Sequence, residues 1–296
     1  MSKKTEIILG FEAHYLSFVE KHRPFMEKAD VILLFEQPPG VVAKLKEDGM
    51  ESLLKKLKPE DERRRKIVSQ IKEQIEKGKT VAGFDFETKG EWIISSANVC
   101  LGEFLEDRSE AKSRFRKGAE LEAESCIRRE ERGLKWLLEH LDQFRGKTIY
   151  VVAGAAHINL YYELKKALKD EEKAGKVKVS MAHLFDERFD KLFSPSEQII
   201  RILMLKKGKL TDADETAINV LIGDSELFAL RESERRENYK LQGLTEGQAE
   251  EKAHFDAIRM WEEDKKKDPL RKLLMPPNNK FRQLLKLPNI SKPSEN

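Results

Sequence analysis

The 296 residues carry 56 Lys and Arg against 53 Asp and Glu, a net +3, with 39% hydrophobic and 37% charged positions. That apolar share supports one large domain or two small ones and argues against disorder in the body of the chain. Two cysteines, Cys100 and Cys126, exclude a disulfide framework and a cysteine-based zinc site. The longest uncharged apolar stretch, Ile149 to Ala156, is far short of the roughly 20 residues that span a bilayer. The apolar stretch after Met1-Ser2-Lys3-Lys4 is too short for a secretion signal. The expectation is a cytoplasmic protein with no membrane partner, and the charge density suits the ion-pair-covered surface of thermostable proteins.

Strand and helix signals alternate along the first half. Thr5 to Gly10 is β-rich, and Tyr15 to Lys28 is helical in pattern with Pro24 expected to end or kink the helix. Val31 to Glu36 is an apolar run closed by an acid, the pattern of a strand buried on both faces. Gln37-Pro38-Pro39-Gly40 forces a turn, Val41 to Lys77 is helical and Lys-rich, and Thr80 to Glu87 reads as a third strand. A charged helical stretch over about 97–145 precedes a fourth strand, Thr148 to Ala153. Gly154-Ala155-Ala156-His157 then opens a helix ending near Lys173, and Lys176 to Met181 is a fifth strand. Such alternation predicts an α/β fold, a mainly parallel sheet of βα repeats with flanking helices, over residues 1–183. A helical extension follows over 184–268. Its start signals are Ser194-Pro195-Ser196-Glu197, Thr211, and Thr245 with Gln248. Residues 269–296, with five prolines, read as an extended or partly disordered tail apart from a short helix around Phe281 to Leu285.

Two segments echo one another. In ILGFEAH and VVAGAAH a strand ends at glycine, Ala-His follows, and a helix and second strand come next. Ligands of open parallel sheets bind beyond the carboxyl ends of strands. His14, Glu36, Asp85 or Glu87, and His157 all fall at or just past such ends. Two imidazoles with one or two carboxylates suit zinc, manganese or iron, and equally suit acid/base chemistry without metal.

These joints resemble those of the superfamily that groups Tiki proteases, TraB/PrgY proteins, erythromycin esterases and haem-binding ChaN proteins. Gly154-Ala155-Ala156-His157 matches its second glycine-x-x-histidine and Glu36 the glutamate ending its second strand. Cys126 to Leu134 is similar to its Arg-Asp segment, with Arg129-Glu130 the preferred register and Arg128 the alternative. The first motif, Gly10-Phe11-Glu12-Ala13-His14, has three residues between glycine and histidine. In this it is similar to the esterase branch, although that branch places its glutamate directly after the glycine. The resemblance covers roughly residues 5–182. It implies a metal-dependent hydrolase of peptide or ester bonds, with His14, His157 and Glu36 holding the metal; Glu12 and, from their place at a strand end, Asp85 and Glu87 are additional candidate ligands. His14, Glu36, His157 and Arg129 would carry the catalysis, Glu36 as ligand or general base and Arg129 at the oxyanion. The branches also allow haem, a binding protein without turnover, or an interaction protein whose site has decayed.

Other charged groups read as ordinary surface. His22, His140 and His254 lie in charged helical sequence, and Glu120 to Arg132 reads as a solvated helix face with i, i+4 pairs; His183, closing the fifth strand, is a lesser candidate for the site. From Lys265 to Asn296 there are nine Lys and Arg against two acids, +7, which leaves the first 264 residues at −4. The tail interleaves Lys267, Arg271, Lys272 and Arg282 with Leu270, Leu273, Leu274, Phe281, Leu284 and Leu285. That pattern favours docking on its own domain or homo-oligomer contact through the helical region over nucleic-acid binding, for which no known motif is present.

Overall fold

A computed structural model describes residues 3–12, 15–35, 62–84, 108–182, 184 and 193–268. His14, Glu36, Asp85, Glu87, His183 and the tail from 269 lie outside the described residues. Five strands, β1 (Thr5–Glu12), β2 (Val31–Leu34), β3 (Thr80–Gly83), β4 (Thr148–Gly154) and β5 (Val177–Met181), form an all-parallel sheet in the order β3-β2-β4-β1-β5. The fold is α/β, as the alternating pattern predicts. The helices are α1 (Leu16–Lys28), α2 (Glu62–Glu76), α3 (Arg108–His140), α4 (Asn159–Ala167), α5 (Lys169–Lys173), α6 (Pro195–Lys206), α7 (Asp212–Leu241) and α8 (Glu246–Lys267). No helix among the described residues is long and apolar enough to cross a membrane.

The chain divides into two compact units, Met1–Glu87 with Ile127–Leu184, and Thr88–Cys126 with Phe185–Asn296. The first contains the sheet. Ile32, Leu33, Ile149 and Val151 are fully buried in its middle, which is why β2 and β4 are apolar without alternation. β1 runs two residues past Gly10, pairing Phe11 with Ala153 and Glu12 with Gly154. α1 runs through Pro24 instead of ending there. Its buried stripe, Phe18, Val19, His22 and Met26, extends to both sides of the proline, and that packing offsets the one lost helical hydrogen bond. The predicted helix before β5 is split, α4 and α5 meeting at Leu168.

Register assigns the two faces of the sheet. Tyr150 pairs with Ile8 and Val152 with Gly10, so Tyr150, Gly10 and Glu12 point to one side. His22 and Phe25 of α1 meet Tyr150 there. Val177 and Val179 of β5 pair with Thr5 and Ile7 and point to the other side, where α4 packs on β5. The connections after the adjacent strands β1 and β4 therefore leave to opposite faces. That is the topological switch point of an open parallel sheet.

In the second unit α6, α7 and α8 each begin at a capping box: Ser194 with Glu197, Thr211 with Asp214, and Thr245 with Gln248. α6 ends at Lys207, whose left-handed φ of 46° precedes Gly208 at 77°. α7 and α8 pack together, with Ala249, Ala253 and Ala257 buried at i, i+4, i+8 beside Ile258 and Trp261. α8 runs to Lys267.

Candidate functional site

Two polar clusters occupy the carboxyl ends of β1 and β4. The first lies on the α1 side. Glu12, the last residue of β1, is 4% exposed, His22 is 2% exposed and Tyr150 is fully buried. His22 Nδ1 is 2.6 Å from the Tyr150 hydroxyl, and Nε2 is 3.1 Å from Glu12 Oε2. Arg63 of α2 donates to Glu12 Oε1. Burial first, and the negative charge of Glu12 second, push the Tyr150 phenol well above its ordinary range, so it remains an O–H donor. His22 thus bonds the phenol through Nδ1 and Glu12 through Nε2, the ring's tautomer setting which atom donates. Phe25 stacks on the Tyr150 ring at 5.5 Å and 13°. Gly10 leaves the space this requires: a Cβ there would overlap the Tyr150 hydroxyl and lie 2.7 Å from its Cζ.

The second cluster lies on the opposite face. His157 closes a 3₁₀ turn, Ala155–His157, directly after β4 and is 1% exposed. Its ring packs 4.6 Å from Phe35, and Nδ1 is 3.7 Å from Oε1 of Glu130 on α3. Phe35 in turn meets Phe84 edge-on at 5.1 Å, and Phe84 stacks on Trp136 of α3 at 5.2 Å. Gly133 permits the approach, since a Cβ at that position would run into the Phe35 ring. Arg129 and Arg128 are half-buried on the same helix, preceding Glu130.

Of the sequence-derived residues, His157, Arg129 and Glu12 are described, and Glu12 and His157 fall at the ends of neighbouring strands. His14, Glu36, Asp85 and Glu87 lie outside the described residues. Among the described residues no three His, Cys, Asp or Glu side chains gather as a metal centre.

The reading of charged sequence as surface is corrected at four positions. His22 is not a surface residue; it sits three after Val19 and four before Met26, on the apolar stripe of α1. His254 is likewise buried, with Nδ1 2.7 Å from Glu232 Oε1, and His140 is half-buried and stacked on Trp136 at 4.3 Å. Glu130 is buried, so Glu120 to Arg132 is not wholly a solvated face. The signal for Glu130 is its place in the series Ala123, Cys126, Glu130, Gly133, Leu137, whose alternating steps of three and four mark a packed seam. Nothing local marks Tyr150 as a partner of His22, 128 residues away.

In comparisons with known proteins no family model matches the chain, and no curated protein and no solved structure matches it.

Proposed function

We propose that the protein is a hydrolase of peptide or ester bonds that works with a divalent transition metal, zinc, manganese or iron, at the carboxyl ends of β1 and β4. One observation carries this reading: β1 and β4, the strands that carry the glycines of the two histidine motifs, are adjacent and parallel and their helices leave to opposite faces, the place where open α/β sheets bind ligands. The donor chemistry fits a metal. His157 offers a buried imidazole with the Glu130 carboxylate 3.7 Å from Nδ1; at hydrogen-bond distance such a carboxylate orients a metal-binding histidine. His14 and Glu36 add an imidazole and a carboxylate from the sequence.

When bound, such a metal supplies Lewis acidity and an acidified water. His14 and His157 would hold it. Glu36 would act as ligand or take the proton of the attacking water, and Arg129 would donate to the oxygen on which charge develops. The resemblance to the Tiki, TraB and erythromycin esterase superfamily supports the bond class. A cytoplasmic setting suits the buried thiol of Cys126. A second reading, a haem or small-ligand carrier without turnover, draws on the aromatic wall of Phe35, Phe84 and Trp136 beside His157.

The test is elemental analysis of the purified protein followed by hydrolysis of p-nitrophenyl esters and a peptide library. Near-stoichiometric metal is expected, together with a loss of activity on the order of a hundredfold or more in His14→Ala and His157→Ala. A wild-type protein that holds neither metal nor haem, with both variants indistinguishable from it in hydrolysis and ligand binding, would overturn the reading.

A further inference from the structure

We propose that the exposed leucine face of α7 is the docking surface of this chain's own C-terminal segment, residues 270–285: its leucines cover Leu227 and Leu230, and its bases meet Glu226 and Glu234. Face and segment both belong to the helical unit, and neither contributes to the proposed hydrolytic site.

Three of the four large hydrophobic side chains exposed among the described residues lie on α7: Leu227 at 39%, Leu230 at 69% and Leu241 at 87%. With the half-buried Val220, Leu227 and Leu230 make one stripe at helical spacing. The stripe is turned away from α8, which α7 meets through Asp224, Phe228 and Glu232. The bases of α7 are drawn to α8 as well. Arg231 reaches Asp264 at 2.6 Å, Arg235 reaches Asp256 at 3.3 Å, and Arg236 and Lys240 meet Glu246. Glu226 and Glu234, to either side of the leucines, make no ion pair among the described residues. An uncovered apolar stripe edged by unmatched acids fits a basic, leucine-rich partner. A second copy of the same face would bring its acids against their own images. The C-terminal segment has the complementary character: from Pro269 to Ile290 it carries five Lys and Arg and no acid, and Leu270, Leu273 and Leu274 recur at steps of three and four. It also starts in the right place. Trp261 donates to Asp224 and Asp264 pairs with Arg231, so the last turns of α8 lie beside the part of α7 that bears the leucines. Asp268 is already extended, at φ −90° and ψ 110°, and Pro269 disfavours a further helical turn. Five extended residues span roughly 17 Å, more than the ~10 Å thickness of a helix, which puts Leu273 and Leu274 within reach of the far face.

The experiment is timed trypsin cleavage after Arg271, Lys272 and Arg282 in the full-length protein, read by mass spectrometry beside a synthetic peptide of residues 265–290. Cleavage should be at least about tenfold slower in the protein than in the peptide. Leu227→Glu combined with Leu230→Glu should restore the peptide's rate, and Glu226→Gln combined with Glu234→Gln should raise the rate about threefold and remove most of its salt dependence. All four side chains are exposed or half-buried, so circular dichroism should match wild type. Independently of any loss of folding in these variants, benzoylphenylalanine in place of Leu230 should, on irradiation, join to a peptide from 270–285 within monomeric protein. A segment cut as fast as the free peptide overturns the proposal, as does protection that survives Leu227→Glu with Leu230→Glu. A crosslink between two copies assigns the face to self-association and also overturns it, and so does a crosslink to any other segment or none.

Discussion

In the helical unit several buried and half-buried polar groups are paired between two helices that are neighbours in sequence. Trp261 Nε1–H donates to Asp224 at 2.8 Å, His254 meets Glu232, and Tyr239 and Arg235 share Asp256. In the α/β unit, Glu12, His22, Arg63 and Tyr150 come from four separate elements and meet at the end of a strand. The first arrangement specifies how α7 and α8 lie against one another. The second gathers charge, an imidazole and a phenol at a sheet edge, where packing alone asks only for apolar side chains. Buried polar groups cost free energy unless fully paired, and the proposed chemistry lies in the α/β unit, where they converge from distant points of the sequence.

The largest effect expected from breaking this contrast is at Gly10. Gly10→Ala forces a methyl group into the Tyr150 hydroxyl and should cost about 3 kcal/mol in urea unfolding; a loss below about 1 kcal/mol would show that the ring has somewhere else to go. Next is Asp224→Ala in the helical unit. It leaves the Trp261 N–H buried without its acceptor and should cost about 2 kcal/mol, with tryptophan fluorescence reporting the change directly.

Thr211→Ala comes third, with a loss of about 1 kcal/mol at neutral pH. Burial alone would raise the Asp214 carboxyl, but the Thr211 backbone N–H, the Thr211 hydroxyl and Lys206 outweigh it and hold the group below its usual value. A carboxylate depressed in the folded state contributes stability above its unfolded value, about pH 4, and loses it as pH falls through the folded value. Wild type and Thr211→Ala should therefore converge in stability in acid. The smallest effect has the opposite sign: a Cβ on Gly223 meets nothing within 4 Å, so Gly223→Ala should stabilise α7 by about 0.8 kcal/mol. Two glycines, one filled over by Tyr150 and one facing open space, thus separate close approach from mere permissiveness.

What the sequence made legible follows the same division. The capping boxes at Ser194 and Thr245 and the helix start at Thr211 are readable because both partners lie within three residues. The parallel strands are readable from short apolar runs between helical patterns, and the joint at His157 from its glycine and its place after β4. The chain Tyr150–His22–Glu12 was hidden because the charged neighbours of His22 suggest solvent while its contacts are set by the fold. Hydrophobic spacing alone does mark the position: Val19, His22 and Met26 form one stripe. Glu130 was obscured in the same way, a single acid on a buried seam within a run of exposed ones.

The most direct test is an anomalous difference map at the zinc absorption edge from crystals of the wild-type protein soaked in Zn(II). The account predicts a single strong peak about 2 Å from a ring nitrogen of His157, lost in His157→Ala crystals. A peak away from the ends of β1 and β4, or none at zinc concentrations that saturate binding in solution, contradicts it.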